Sequence, residues 1–233
     1  MNIIHPTAVV GDGVVLGSGN VVGPHVVLFG PLEIGDGNWI GPGATIGTPP
    51  EVRGVEHGAQ WATAATGGGV RIGHDNVIRE QALINQGWEN TTVVGSDCFL
   101  MNKVYVAHDC VLEDGATLAS TVTMGGHVLV GAGANLGLGT VIHQRRIIGP
   151  GAMVGMGSVV TRDVPPFALV YGNPAVLRGA NVVGMSRLGV DEAAVSMVHE
   201  AYAAGAALTA ASAPQALRQQ FGWWEQHTRE SAA

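Results

Sequence analysis

Every sixth residue of this chain is apolar over most of its length, and that period leaves few folds open. The series runs Ile4, Val10, Leu16, Val22, Leu28, Ile34, Ile40 and Ile46, resumes at Ile72, Ile78 and Ile84, and continues from Val94 to Val160, giving 23 positions. The next residue is glycine at 13 of the 23, as in IGDGNW and VGAGAN, which chance does not produce. A period of six fits neither the 3.6 of a helix nor a long strand of period two, so each unit is a short strand followed by a corner. Glycine is expected to supply the corners. The apolar residue and the one two before it lie on the same side of the strand and face a common interior. Three units close a triangular coil of 18 residues, and coils stack through parallel backbone hydrogen bonds at roughly 4.8 Å. The 23 units predict between seven and eight coils.

The predicted fold class is therefore an all-β solenoid over residues 1–188 with a short helical region over 189–233. From Asp191 the stretch DEAAVSMVHEAYAAGAALTAA has apolar residues at helical spacing, and QALRQQFGWWEQH follows Pro214. Two polar segments interrupt the repeat, at residues 48–71 and 86–92. Insertions in a solenoid loop out of the coil and commonly build its binding surface.

Composition narrows the function. A net charge of −7 with only 11 Lys and Arg excludes nucleic acid as the main partner, because phosphate binding needs a basic surface. No run of 18 apolar residues and no basic-flanked apolar start appear, so neither a membrane span nor secretion is indicated and a cytoplasmic location is expected. Cys98 and Cys110 form no CxxC pair and read as small buried side chains in a reducing compartment.

The candidate chemistry sits in VYVAHDC, residues 104–110. Residues 18 apart share a face of neighbouring coils. His108 is third in the unit beginning at Val106, His127 is fourth in the unit one coil later, and His143 is second in the next. Three histidines thus line one edge over roughly 10 Å, two coil spacings, and none occupies an inward apolar position. A neutral imidazole is a standard general base, and an adjacent carboxylate, here Asp109, fixes its tautomer. No GxSxG elbow and no activated cysteine are present, so direct attack by a bound acceptor is expected rather than an acyl-enzyme. Three histidines are also a zinc set, but no metal is expected. An orienting partner costs less than a base, so Asp109→Asn is expected to be milder than His108→Ala.

The repeat resembles the hexapeptide-repeat proteins, and that resemblance implies a left-handed parallel β-helix, usually trimeric. In the gamma-class carbonic anhydrases, which share the fold, two zinc-ligand histidines are five residues apart, a separation found in no pair of the nine histidines here. The segments VGSDCFLMNKVYVAHDC, TMGGHVLVG, TVIHQRRIIG and TRDVPPFALVYGNPAVLRGANVVGMSRLG resemble the acyl-carrier-protein-dependent UDP-N-acetylglucosamine O-acyltransferases of lipid A synthesis. The resemblance implies that His108 is the general base, that Asp109 supports it, and that the Gly126 N–H stabilises the oxyanion. It places His127 and His143 in a cleft between subunits and Arg187 on the nucleotide's phosphates, with Asn181, Tyr105, Lys103 and Glu51 as further acceptor contacts. No cofactor is implied beyond the co-substrate, an acyl-acyl-carrier protein or acyl-CoA.

Several acceptor contacts differ from the family pattern. The family's QDLKYKG reads EVRGVEHG, with Glu51 and Val52 in place of Gln and Asp; ESxxIHRG reads EQALINQG. Tyr105 stands where the family has histidine, and Val183 where it has glutamate. The catalytic residues are kept while sugar contacts change, so the expected activity is acyl transfer to a hydroxyl or amine of a nucleotide-linked sugar. The alternatives are an acetyl-CoA-dependent amino-sugar or small-amine acetyltransferase, and a zinc-binding or non-catalytic β-helix.

Overall fold

The computed structural model describes residues 1–54 and 68–230, so the middle of the first insertion, with the last four residues of EVRGVEHG, lies outside the described residues. Short strands pair in parallel at the predicted step of 18, with Ile4 beside Val22, Val10 beside Leu28 and Leu16 beside Ile34. They form three sheets, referred to in the order the chain first enters them, wound as a left-handed β-helix. The insertions do not disturb the stack: Ile46 pairs with Ile84 across the first, and Ile72 with Val94 across the second. Each sheet contributes an inward column of aliphatic residues. In the second sheet Ile46, Ile84, Val106, Met124 and Ile142 are all at most 1% exposed. Burying each such side chain contributes about 1.5–3 kcal/mol.

The hexad count falls short at the C-terminal end. The first sheet has ten strands, of which only the last is antiparallel, leaving nine parallel strands instead of seven to eight. The extra strand is Ala168–Gly172, which pairs with Met153–Val154 although ten residues separate Val170 from Val160. The period slips there because DVPP turns the corner differently: the Asp163 carboxylate accepts the Ile147 N–H at 3.0 Å, and Val164 alone bridges to Ile148.

Glycine supplies the corners only in part. Apart from Gly47, whose φ is 88°, the glycines after the apolar residue have ordinary φ and are small because the next coil passes close; a Cβ on Gly125 would lie 2.8 Å from the Gln144 nitrogen. The left-handed turn is made at the fourth position, by Gly in many units and by Asp97, Lys103, Asp109, His127 and Arg145 in others, all with φ between 55° and 59°. Non-glycine residues adopt this conformation at a cost of about 1–2 kcal/mol.

After the antiparallel strand Ala175–Ala180 come three helices, α1 (Val182–Arg187), α2 (Glu192–Ala203) and α3 (Arg218–Glu230), the last preceded by a single 3-10 turn. Helix α1 thus lies on the solenoid side of the boundary placed at residue 188. Asp191 caps α2 by accepting the Ala194 N–H, the role that Asp favours at a helix start. Helix α3 folds back onto the prism: Phe221 meets Phe167 with ring centroids 6.4 Å apart, and Trp223 Nε1 donates to Glu113 at 2.6 Å. Among the described residues no helix is long and apolar enough to cross a membrane.

Candidate active site

Both insertions leave the solenoid at one edge, between the second and third sheets, after Ile46 and Ile84. The next three coils place His108, His127 and His143 on that edge, as the period predicts. The left-handed fourth-position residues stack there into a ladder. His127 Nε2 lies 3.5 Å from Asp109 Oδ2, and the Arg145 guanidinium donates to His127 Nε2 at 3.5 Å.

His108 and Asp109 form the centre. His108 Nδ1 lies 2.6 Å from Asp109 Oδ2, and the Asp109 side chain is fully buried. Its other oxygen, Oδ1, accepts three consecutive backbone N–H groups of the second insertion, from Trp88 at 3.1 Å, Glu89 at 2.9 Å and Asn90 at 2.6 Å. Burial alone would raise the pKa of this carboxyl, but the hydrogen bonds from His108 and from Asn90, Trp88 and Glu89 outweigh it and hold the pKa below the usual value. Asp109 is therefore a carboxylate at neutral pH. Its stabilising contribution is complete above the unfolded value of about 3.9 and is lost as the pH falls through the lower folded value. A carboxylate held in this way can only accept, so His108 Nδ1 carries the proton and Nε2 presents its lone pair.

His127 packs edge-to-face on His108 with centroids 5.2 Å apart. Burial lowers its pKa, Arg145 and His108 add to that, and the pull of Asp109 does not offset them, so His127 stays neutral near pH 7. Gly126 has to be glycine because the His108 ring occupies the space of a side chain; a Cβ there would lie 2.5 Å from His108 Cε1 and 2.6 Å from Nε2. The Gly126 N–H has no acceptor among the described residues. At the edge between the third and first sheets several third-position N–H groups are taken by side chains of a neighbouring coil, as when the Ser96 N–H donates to Asp114 Oδ1 at 2.7 Å.

The other candidates are dispersed. Tyr105 donates its hydroxyl to Glu51 Oε2 at 2.8 Å, so two of the residues that depart from the family pattern bind each other. Burial raises the Tyr105 pKa, and the Glu51 hydrogen bond raises it further. His143 is exposed on the same edge, with Nδ1 3.0 Å from the Gln144 carbonyl and no contact with the His108 pair. Lys103 is exposed at a corner between the first and second sheets, away from this edge. Asn181 caps α1: its Oδ1 accepts the Gly184 N–H at 3.0 Å and its Nδ2 donates to Gly151 at 2.9 Å. Arg187 is exposed in the last turn of α1, and no contact joins it to His108. A cavity of about 470 Å³ between α1 and α2, bordered by Ser186, Val190 and His199, shares no residue with the histidine edge.

Arg145, Trp88 and the three N–H groups on Asp109 were not foreseen. The only available signal for Arg145 was its place exactly 18 residues after His127. His108, Asp109 and His127 could also hold a metal ion, since their ligand atoms lie within 4.8 Å of one another. The 2.6 Å Nδ1 to Oδ2 approach is that of a hydrogen bond. Two tetrahedral zinc ligands, each at about 2.0–2.2 Å, stand farther apart than that.

Comparison with known proteins agrees with this architecture. Residues 163–228 match the family model for UDP-N-acetylglucosamine O-acyltransferase, domain 2. The chain is 38% identical over 135 residues to the acyl-acyl-carrier-protein–UDP-N-acetylglucosamine O-acyltransferase of Gloeothece citriformis, covering 57% of this chain and 49% of that protein. The match thus spans about half the length of such curated relatives. Among solved structures, the UDP-N-acetylglucosamine acyltransferase from Campylobacter jejuni superposes with a TM-score of 0.65 at 30% identity, covering 86% of this chain and 81% of that one. The enzyme of the same description from Bacteroides fragilis gives 0.76 at 24% identity, covering 94% and 91%, a likeness of fold. Left-handed coils of hexapeptides define a hexapeptide-repeat protein. Within that class, the chain belongs to the UDP-N-acetylglucosamine O-acyltransferase family.

Proposed function

We propose that the protein transfers an acyl group from a thioester, carried by acyl carrier protein or coenzyme A, to a hydroxyl or amine of a nucleotide-linked sugar in the cytoplasm. The observation that carries this reading is the His108–Asp109 pair, whose carboxylate is fixed by three N–H groups so that Nε2 is the basic atom. In the reaction, Nε2 takes the proton of the acceptor as its oxygen or nitrogen attacks the thioester carbonyl. The unclaimed Gly126 N–H receives the negative charge of the tetrahedral intermediate, where one preorganised donor is worth about 10²–10³ in rate. The C–S bond then breaks, the thiol leaves with the proton from His108, and the acyl product forms. Histidine, glycine amide and bound acceptor suffice; no step needs a metal. The names of the relatives support this donor and this type of acceptor. The Tyr105–Glu51 hydrogen bond supports a sugar different from that of the relatives.

Purified protein incubated with acyl-carrier-protein and CoA thioesters and a panel of nucleotide sugars, with products read by mass spectrometry, should give an acylated sugar nucleotide. A sugar other than UDP-N-acetylglucosamine should be turned over faster. No acyl product from any pair would end the proposal, and fastest turnover of UDP-N-acetylglucosamine would end its second half.

The acceptor candidates Lys103, Asn181 and Arg187 lie on surfaces that a single chain does not bring to His108, so the complete site requires another copy. We therefore propose a homotrimer with its sites between neighbours. Light scattering should return three times the 23.9 kDa chain mass; a monomer retaining full activity would contradict it.

A further inference from the structure

We infer that Trp88 is the surface on which the acceptor's sugar ring stacks, which makes it a determinant of acceptor recognition. The inference rests on the reading of His108 Nε2 as the base. Its indole is 46% exposed, the only large apolar side chain so exposed in the second insertion. It is nevertheless held in place, because the Trp88 N–H and those of the next two residues are bonded to the buried Asp109 carboxylate. The indole stands at right angles to the His108 ring with centroids 6.3 Å apart. An atom that gives its proton to Nε2 has to lie within about 3 Å of it. The body of a sugar carrying that atom then comes within a ring's width of the indole.

The surroundings favour a sugar over the donor's acyl chain. Glu89 and Asn90, the next two side chains, are exposed and polar, and Asn85 and Gln86 before the loop are polar and buried. An alkyl chain is best covered by a continuous apolar row, and among the described residues of its own loop Trp88 has none beside it. A pyranose has one face of C–H groups and a rim of hydroxyls, which matches one flat aromatic ring set among polar side chains. Indole offers the largest such surface at the least loss of side-chain freedom.

The test separates this inference from the reading it rests on, because it measures binding without a donor. The probes are UDP-, dTDP- and GDP-linked hexoses beside UDP, dTDP and GDP, titrated calorimetrically into wild type, Trp88→Phe and Trp88→Ala. For the sugar nucleotide that wild type binds most tightly, Trp88→Ala should weaken binding about tenfold, the worth of about 1.4 kcal/mol. Trp88→Phe should recover most of it, and the bare nucleotide should bind all three proteins alike. Equal losses for sugar nucleotide and bare nucleotide, unchanged binding in Trp88→Ala, or no sugar nucleotide bound by wild type would each overturn the inference. In a parallel turnover assay, a rise confined to the KM of the thioester would also overturn it by placing Trp88 on the donor side. Wild type that binds a sugar nucleotide through Trp88 but acylates none would refute the proposed reaction and leave the platform standing.

Discussion

His108→Ala should lower kcat by roughly 10² to 10⁴, the usual worth of a positioned general base. The coils should survive, since His108 stands outside the aliphatic columns and its removal opens no cavity among them. The oligomeric state and the thermal midpoint should therefore stay near those of wild type. KM for the acceptor should change less than kcat, because proton removal belongs to the transition state more than to the bound substrate. Steady-state kinetics with thiol release as the readout checks this, together with a chelator control that should leave wild-type turnover unchanged. Turnover near that of wild type by His108→Ala, or activity abolished by chelation and restored by zinc, would remove His108 from its role.

Asp109→Asn should be nearly as damaging, which reverses the expectation drawn from the sequence. An orienting partner ought to cost less than the base, but the three N–H groups of residues 88–90 decide which atom of an asparagine faces His108. They require an acceptor, so the amide oxygen stays with them and the NH₂ is turned toward His108 Nδ1. A donor there compels Nδ1 to accept, which moves the ring proton to Nε2 and blocks the atom that should receive the acceptor's proton. Loss of the right tautomer costs up to about 10⁴ in the serine-protease triad. We expect a fall in kcat of roughly 10² to 10⁴ with the loop still ordered. Asp109→Ala should differ by leaving three N–H groups without their acceptor, at about 1–3 kcal/mol for each that stays buried, and its thermal midpoint should drop. Kinetics and thermal unfolding of the two variants side by side make the comparison. If Asp109→Asn keeps a tenth or more of the wild-type kcat, the tautomer argument fails.

Much of the candidate site was legible because the fold is periodic. Once Val106, Met124 and Ile142 are known to stack, His108, His127 and His143 are placed on one edge by counting. Counting failed where the chain leaves the period. The step from Val160 to Val170 hid the last parallel strand, since Asp163 and Val164 turn that corner without a hexad. The Asp109 clamp was hidden for a related reason: its donors are backbone groups of an insertion about 20 residues earlier, and a main-chain N–H carries no sequence signature. His143 shows the opposite limit, because the correct edge did not bring its side chain to the pair.

The sequence by itself determined the solenoid, its three sheets and the edge that carries the histidines, because a six-residue period with apolar residues in one phase can bury them only by closing a coil every third unit. It also determined the helical ending, through apolar residues at helical spacing from Asp191 onward. The tertiary structure alone decided which atoms are presented at that edge. Only the folded second insertion brings three N–H groups to Oδ1, which fixes the charge of Asp109, the tautomer of His108 and the position of Trp88. Only the stacking of coils sets the His108 ring where a Cβ of Gly126 would be and leaves that residue's N–H unclaimed among the described residues. Periodicity specifies where backbones lie to within a coil spacing of roughly 4.8 Å, whereas a hydrogen bond is made or lost within a few tenths of an ångström.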